Sequence, residues 1–209
     1  RKYINLHDDI EIATFPILNT ADSALLIKCK NNLIVNLNDT LCDPSNNFVR
    51  REIALSKSSL LLKLAGYGDA DMINIFDENN KFIEPLASTK TAPGYLLTSQ
   101  AKKIKCTHAM HFSSFHKYVR TDSIWANKYT TPENDLDRGW NKEIGYFQNF
   151  SSLLITDNGF QKIESEYPKK NNIKIQSPEK YGDYWDEELS IPEQKIVRNY
   201  LDKIEYIKG

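Results

Sequence analysis

Ala24-Leu25-Leu26-Ile27-Lys28-Cys29, then Lys30-Asn31-Asn32, then Leu33-Ile34-Val35-Asn36-Leu37 is the stretch that decides the fold. Two apolar runs separated by a polar turn predict a β-hairpin. Neither run alternates cleanly, and a strand that is apolar on both faces has to be covered on both. The pattern continues on either side. Ile10-Glu11-Ile12-Ala13-Thr14-Phe15 alternates apolar and polar and is closed by Pro16, which predicts a strand. Pro44-Ser45-Asn46-Asn47 opens a segment whose Phe48, Ile53, Leu55 and Leu60 are compatible with a helix, and Ser58 to Ala65 is apolar enough for a further buried strand. Residues 69–100 read as irregular, with a turn at Asp77-Glu78-Asn79-Asn80 and loop character at Pro85, Pro93 and Gly94. Ile104 to Met110 and Ser152 to Thr156 read as strands. A terminal helix begins after Ser190 with Pro192 in its first turn, and Ile196, Tyr200, Leu201 and Ile204 share its apolar face. Strands interspersed with helices predict the α/β class, with a mixed or mostly antiparallel sheet and flanking helices. The organisation expected is a main portion over 1–150 and a C-terminal extension over 151–209 that carries the helix.

The bulk properties narrow the function classes. The chain has 209 residues, of which 40% are hydrophobic and 26% charged, enough for one globular domain or a domain with an extension. With 27 basic against 28 acidic residues the net charge is -1, so nucleic acid is not an expected partner. Three cysteines, Cys29, Cys42 and Cys106, form neither a disulfide framework nor a CxxC pair, which fits a reducing cytoplasm. No apolar run reaches the roughly 18 residues that cross a bilayer, and no signal peptide is present. The chain opens at Arg1, without Met, directly into strand-like sequence. It reads as a processed product or a later portion of a longer protein.

Polar residues stand at two strand ends. The run from Leu33 ends in Asn38-Asp39-Thr40, and Thr107-His108-Ala109-Met110-His111-Phe112-Ser113-Ser114-Phe115-His116 holds three of the four histidines. Imidazole has a free pKa near 6.5 and suits both metal binding and proton transfer. One strand delivering an Asp and another delivering a His is a common way to build a metal site at a sheet edge. The alternatives are equally physical: Asp39 as a turn residue bonded to nearby amides, and His111 as a satisfied core histidine. His108, within the strand, reads as a packing residue or a support for a ligand, and His7 as solvent-exposed. Downstream, Tyr118, Arg120, Asp122 and Trp125 form a compact set. Arg binds phosphate or carboxylate through two N–H groups, and Trp or Tyr stacks on a sugar or base; the other reading is a loop tied by an Arg120–Asp122 contact. Tyr67, Asp69 and Asp71 follow a strand end and fit either the same cleft or an ordinary turn.

These segments, in this order, resemble the later portion of the metallo-β-lactamase superfamily. They are similar in particular to the branch containing ascorbate-phosphate lactonase, N-acylphosphatidylethanolamine phospholipase D and CMP-N-acetylneuraminate hydroxylase. Thr20 to Ile27 resembles the segment after the third metal-binding motif, Leu33 to Thr40 the strand ending in the metal-bridging aspartate, and Ala109 to His116 the motif of the last histidine ligand. Asp122 to Asn127 follows that motif as in the sugar-nucleotide-related members. The resemblance covers about residues 10–140. It implies part of an αββα sandwich, a divalent metal (zinc, with iron or manganese as alternatives), and metal ligands at Asp39, His111 and His116. It further implies a catalytic role for Asp39 and His111 in hydrolysing a phosphoester, lactone or related bond of a small molecule, phosphorylated or sugar-linked, held by Tyr118, Arg120, Asp122 and Trp125. Two departures stand against it. The HxHxDH motif is absent from the chain, and Asn19 occupies the place of the third-motif histidine, where amide is a poor zinc donor. Three function classes follow: a metal-dependent hydrolase or its later half; a non-catalytic binding or structural portion of a larger assembly; and a sugar-nucleotide-modifying protein. Either reading as a half requires an apolar contact with a missing N-terminal portion or with a second copy.

Overall fold

The structure is a computed structural model that describes residues 3–17, 23–40, 42, 47–67, 76–85, 89–112, 115, 117–163, 174–184 and 187–208. It belongs to the α/β class, with a seven-stranded mixed sheet, a separate two-stranded sheet and several helices. Strands β1 (Ile4–His7), β2 (Ile10–Pro16), β3 (Ser23–Cys29) and β4 (Asn32–Asn38) run antiparallel in sequence order. The predicted hairpin is β3–β4, with Leu26 opposite Val35 and Lys30 in the left-handed conformation at its turn (φ 53°). From β4 onward the sheet is parallel: β5 (Ser58–Lys63), β6 (His108–His111) and β7 (Gly145–Tyr146) follow. A parallel step needs a crossover, and α1 (Asn47–Leu55) and α2 (Pro93–Ile104) supply the two between β4 and β6.

Both helices lie in the same core. Val49 and Ile53 of α1 and Leu97, Ala101 and Ile104 of α2 pack with Leu26, Val35, Leu61 and Ala109 from one face of the sheet. Burying a Leu, Ile or Val side chain contributes about 1.5–3 kcal/mol, so this face dominates the stability of the molecule. The other face is covered at β5 by the hairpin of β8 (Ser152–Thr156) and β9 (Gly159–Ile163). Asn32 donates to the Thr156 carbonyl at 2.7 Å, and Lys57 to Asn158 at 2.7 Å. His108 stacks on Phe147 with ring centroids 5.2 Å apart. Register also places Ile4, Ile12, Ile27, Ile34 and Leu60 in one row across this second face. The middle three are only half-buried, so the apolar character of the strands on both faces is real, and its cover is partial.

Two elements differ from their expected form. Residues 93–104 are a helix. Pro93 takes the first turn, where its missing N–H costs nothing, and Gly94 is there because a Cβ would lie 2.8 Å from the backbone of Asp137 and Arg138. Ile104 ends that helix instead of opening β6. Lys105 then turns left-handed (φ 68°), and the Cys106 amide donates to the Ala101 carbonyl, so β6 starts at His108.

The chain divides into two compact units, Arg1–Tyr118 with Ala126–Asn172, and Val119–Trp125 with Ile173–Gly209. In the second, Thr121 and Gln176 exchange backbone bonds with their neighbours across a short bridge. The terminal helix α3 (Ile191–Lys208) starts where expected. Glu193 accepts from both the amide and the hydroxyl of Ser190 (2.8 and 2.5 Å), so its carboxylate satisfies the backbone N–H at the helix start. Ile196, Val197, Tyr200 and Leu201 on α3 are exposed.

Candidate functional site at the parallel strand ends

The register of the three central strands brings the expected polar residues to one edge. Asn38 pairs with Lys63, and Lys63 with His111, so the C-terminal ends of β4, β5 and β6 carry Asp39, Lys63 and His111 side by side. Open α/β sheets hold ligands outside this carboxyl edge.

Each side chain has a definite environment. Asn38 is left-handed (φ 48°) and its amide bonds the Asn36 side chain at 2.9 Å, which turns the chain so that Asp39 is exposed. The Asp39 carboxylate accepts from Asn38 Nδ2 at 3.1 Å. Lys63 is buried; its ammonium donates to the carbonyls of Thr40 (2.7 Å) and Asp39 (3.4 Å). Burial pushes its pKa below the usual lysine value, and the Asp39 charge acts in the opposite direction.

His111 is 3% exposed. Its Nε2 lies 2.7 Å from the Leu136 carbonyl, and a carbonyl only accepts, so Nε2 carries the proton. Nδ1 is buried without a hydrogen-bond partner. Burial lowers the pKa of the ring, opposed by the Leu136 bond and by Asp137, and the imidazole is neutral at pH 7. A cavity of about 10 Å³ adjoins it, lined by Ala65, Gly66, Thr131 and Leu136 with Phe112 and Phe115. That is room for one water and no substrate. Thr131 closes it by bonding both backbone groups of Tyr67 (2.6 and 2.8 Å).

A metal is what the resemblance implies, and the described residues alone do not gather a ligand set for one. Among the described residues no group of three or more His, Cys, Asp or Glu could hold an ion. His111 offers one open nitrogen, Nδ1, Asp39 faces solvent, and burial holds the Cys106 thiol protonated, its pKa pushed up to about 12. Ligands must be deprotonated donors converging at about 2.0–2.3 Å. His116 and Asn19 lie outside the described residues, as do Asp69 and Asp71.

The expected substrate set is divided between the units. Tyr118, in the first, exchanges 2.8 and 2.9 Å bonds with the Asn127 side chain and packs with Ala126 and Tyr129. In the second, Arg120 holds Asp122 through two bonds (2.6 and 3.2 Å) and Asp183 through a third (2.5 Å), and Trp125 Nε1 donates to the Asp122 carbonyl at 2.9 Å. The guanidinium is thereby used within its own unit, and it holds the Asp122 carboxyl below the usual range. His108 lies on the second sheet face and at the opposite end of β6, with Nδ1 2.8 Å from the Thr107 hydroxyl. His7 is exposed.

Two features carried no sequence signal. Lys63 reads in sequence as the charged end of an apolar strand, and only the return of β4 brings carbonyls to it. An open hollow of about 540 Å³ lies at the far end of the sheet, lined by Asp8, Asp9, Glu11, Lys28, Lys30, Asn31 and Asp157. It gathers turns from three separate hairpins. Comparison of the chain with protein-family models, with characterised proteins and with solved structures returns no match.

Proposed function

We propose that this chain is a binding and structural portion of a larger assembly, without a hydrolytic metal centre of its own. The missing donor set around His111 carries this reading. The ring is almost wholly buried, only its Nδ1 is open, and among the described residues no second and third donor converge with it. A catalytic zinc needs three protein ligands and an open fourth position, and the described residues supply no such group. Surface available for association is present at the same time: Ile4 and Leu6 on the edge strand are each 62% exposed. Elemental analysis tests the proposal. Dialysed against zinc, iron or manganese and then buffer, the purified chain should retain far less than one equivalent. A stoichiometric, tightly held ion overturns the proposal.

One observation favours a second reading. Asp39 and His111 flank Lys63 at the carboxyl edge of parallel strands, where a ligand site in an α/β sheet is expected. In that reading the chain is the later half of a metal-dependent hydrolase, similar to the metallo-β-lactamase superfamily, whose remaining ligands come from His116 and from chain outside these residues. It requires that Asp39→Ala and His116→Ala each abolish metal binding with the fold intact.

A further inference from the structure

One buried polar atom at the carboxyl edge of the sheet is unused. His111 Nδ1 has no hydrogen-bond partner although the residue is 3% exposed, and buried polar groups are nearly always bonded. With Nε2 donating to the Leu136 carbonyl, Nδ1 is a lone pair and can only accept. The imidazole lines the cavity of about 10 Å³, together with Leu64, Ala65, Gly66, Leu136 and Thr131. The Thr131 hydroxyl is already bonded to both backbone groups of Tyr67. Phe112 and Phe115 complete the lining and are 37% and 40% exposed, so they join the cavity to the surface. There the ring of Phe150, itself exposed, lies 5.1 Å from that of Phe115.

We propose that this is a binding site for an uncharged aromatic hydroxyl compound, a phenol in its simplest form, whose O–H enters the cavity and donates to His111 Nδ1 while its ring lies on Phe112 and Phe115. The inference rests on the reading of the chain as a binding portion, and it names the class of ligand. Size sets the first limit. A cavity of this volume accepts about one heavy atom, so a hydroxyl enters and the skeleton stays outside. Hydrogen bonding sets the second, because the unpaired group is an acceptor and the ligand must supply the proton. Charge sets the third. The described lining residues carry no charged side chain; an anion has no proton to offer, and an ammonium would exchange its water shell for a single acceptor. The skeleton follows from the mouth, where phenylalanine rings favour offset or edge contacts with another ring. A few placed polar groups in apolar walls are the usual make-up of a small-molecule site, and the carboxyl edge of parallel strands is its usual place. A single water fits the same cavity and is the competing occupant.

Titration of the purified chain with phenol, followed by nitrogen-15 NMR of the histidine rings, tests this. The His111 Nδ1 resonance should shift and saturate at roughly millimolar phenol, an affinity within reach of a ligand of this size. Toluene carries a methyl in place of the hydroxyl and leaves Nδ1 unpaired, so it should bind at least about tenfold more weakly. Ala65→Val fills the cavity with His111 in place, and it should lose the phenol response. His111→Phe, followed on the amide signals of Phe112 and Phe115, should bind phenol and toluene alike; far-UV spectra verify folding, and the other comparisons do not depend on this variant. No saturable change at His111 up to roughly 20 mM phenol means that water alone occupies the cavity and overturns the inference. Equal affinities for phenol and toluene in wild type overturn it as well, and so does a phenol response that survives Ala65→Val. Metal content measured on the same samples separates the two proposals: a metal-free chain that ignores phenol overturns only this site, and a tightly metallated chain overturns the functional reading whatever phenol does.

Discussion

At His111 a neutral imidazole is held by one hydrogen bond to Leu136 in surroundings that disfavour its charged form. Protonation must either expose the ring or bury a cation beside Trp140, whose ring lies 6.2 Å away. The sign of the pH effect follows. The folded-state pKa is depressed, whereas the unfolded chain titrates near about 6.5, so below that pH the unfolded state binds protons that the folded state does not. Stability present above about pH 6.5 should therefore fall as the pH drops. Asp137 moderates the effect and His108, also depressed by burial, adds to it. Urea midpoints between pH 5 and 8 should show a shallower acid loss in His111→Gln, which keeps a donor for Leu136 and cannot charge. An unchanged acid slope in that variant would place the titration elsewhere.

At the scale of elements, close approaches decide where strands and helices meet. Gly145 of β7 pairs with His108 of β6, and a Cβ on it would lie 2.2 Å from the imidazole Cδ2. Gly145→Ala should therefore destabilise the chain by about 1–3 kcal/mol, as overpacking does. The same substitution made in His108→Ala should cost little, because the obstacle is gone. A double-mutant cycle by chemical denaturation measures the coupling; additive costs would mean that the ring does not sit over the glycine. A similar approach explains α2, where Gly94 lets the 137–138 backbone cross the first turn. That crossing also positions Leu136, so the helix start and the His111 environment are linked through one segment.

For the whole molecule, burial is concentrated in one layer. Leu26, Leu33, Val35, Leu60 and Leu61 are at most 1% exposed, whereas Ile196, Tyr200 and Leu201 of α3 are more than half exposed. Local opening follows the density of buried apolar contacts. Amide exchange should accordingly be slowest in β3, β4 and β5, and faster by orders of magnitude in α3. Equal protection in the two regions would show that α3 is covered by something that binds the purified chain.

How far the sequence reaches depends on the range of the interaction concerned. The hairpin over 24–37, the strand before Pro16, the buried strand at 58–63 and the capped start of α3 follow from the sequence alone. Their signals are local: apolar runs, a polar turn, and Ser190 three residues before Glu193. The placing of Asp39 and His111 at strand ends follows in the same way. What the imidazole does there does not. Ligand and core histidine have the same spacing in sequence, and the tautomer of His111 is set by a carbonyl 25 residues away that reaches Nε2 only when the 133–140 segment crosses α2. Pro93-Gly94 reads locally as a loop and becomes a helix start because another segment needs the space of its missing side chain. The sequence by itself determined which segments are strands and which residues lie at their ends, because backbone periodicity and turns are short-range. Only the tertiary structure decided which of those residues are buried, which proton each carries and whether their donors converge, because desolvation and hydrogen bonding depend on neighbours that are distant along the chain.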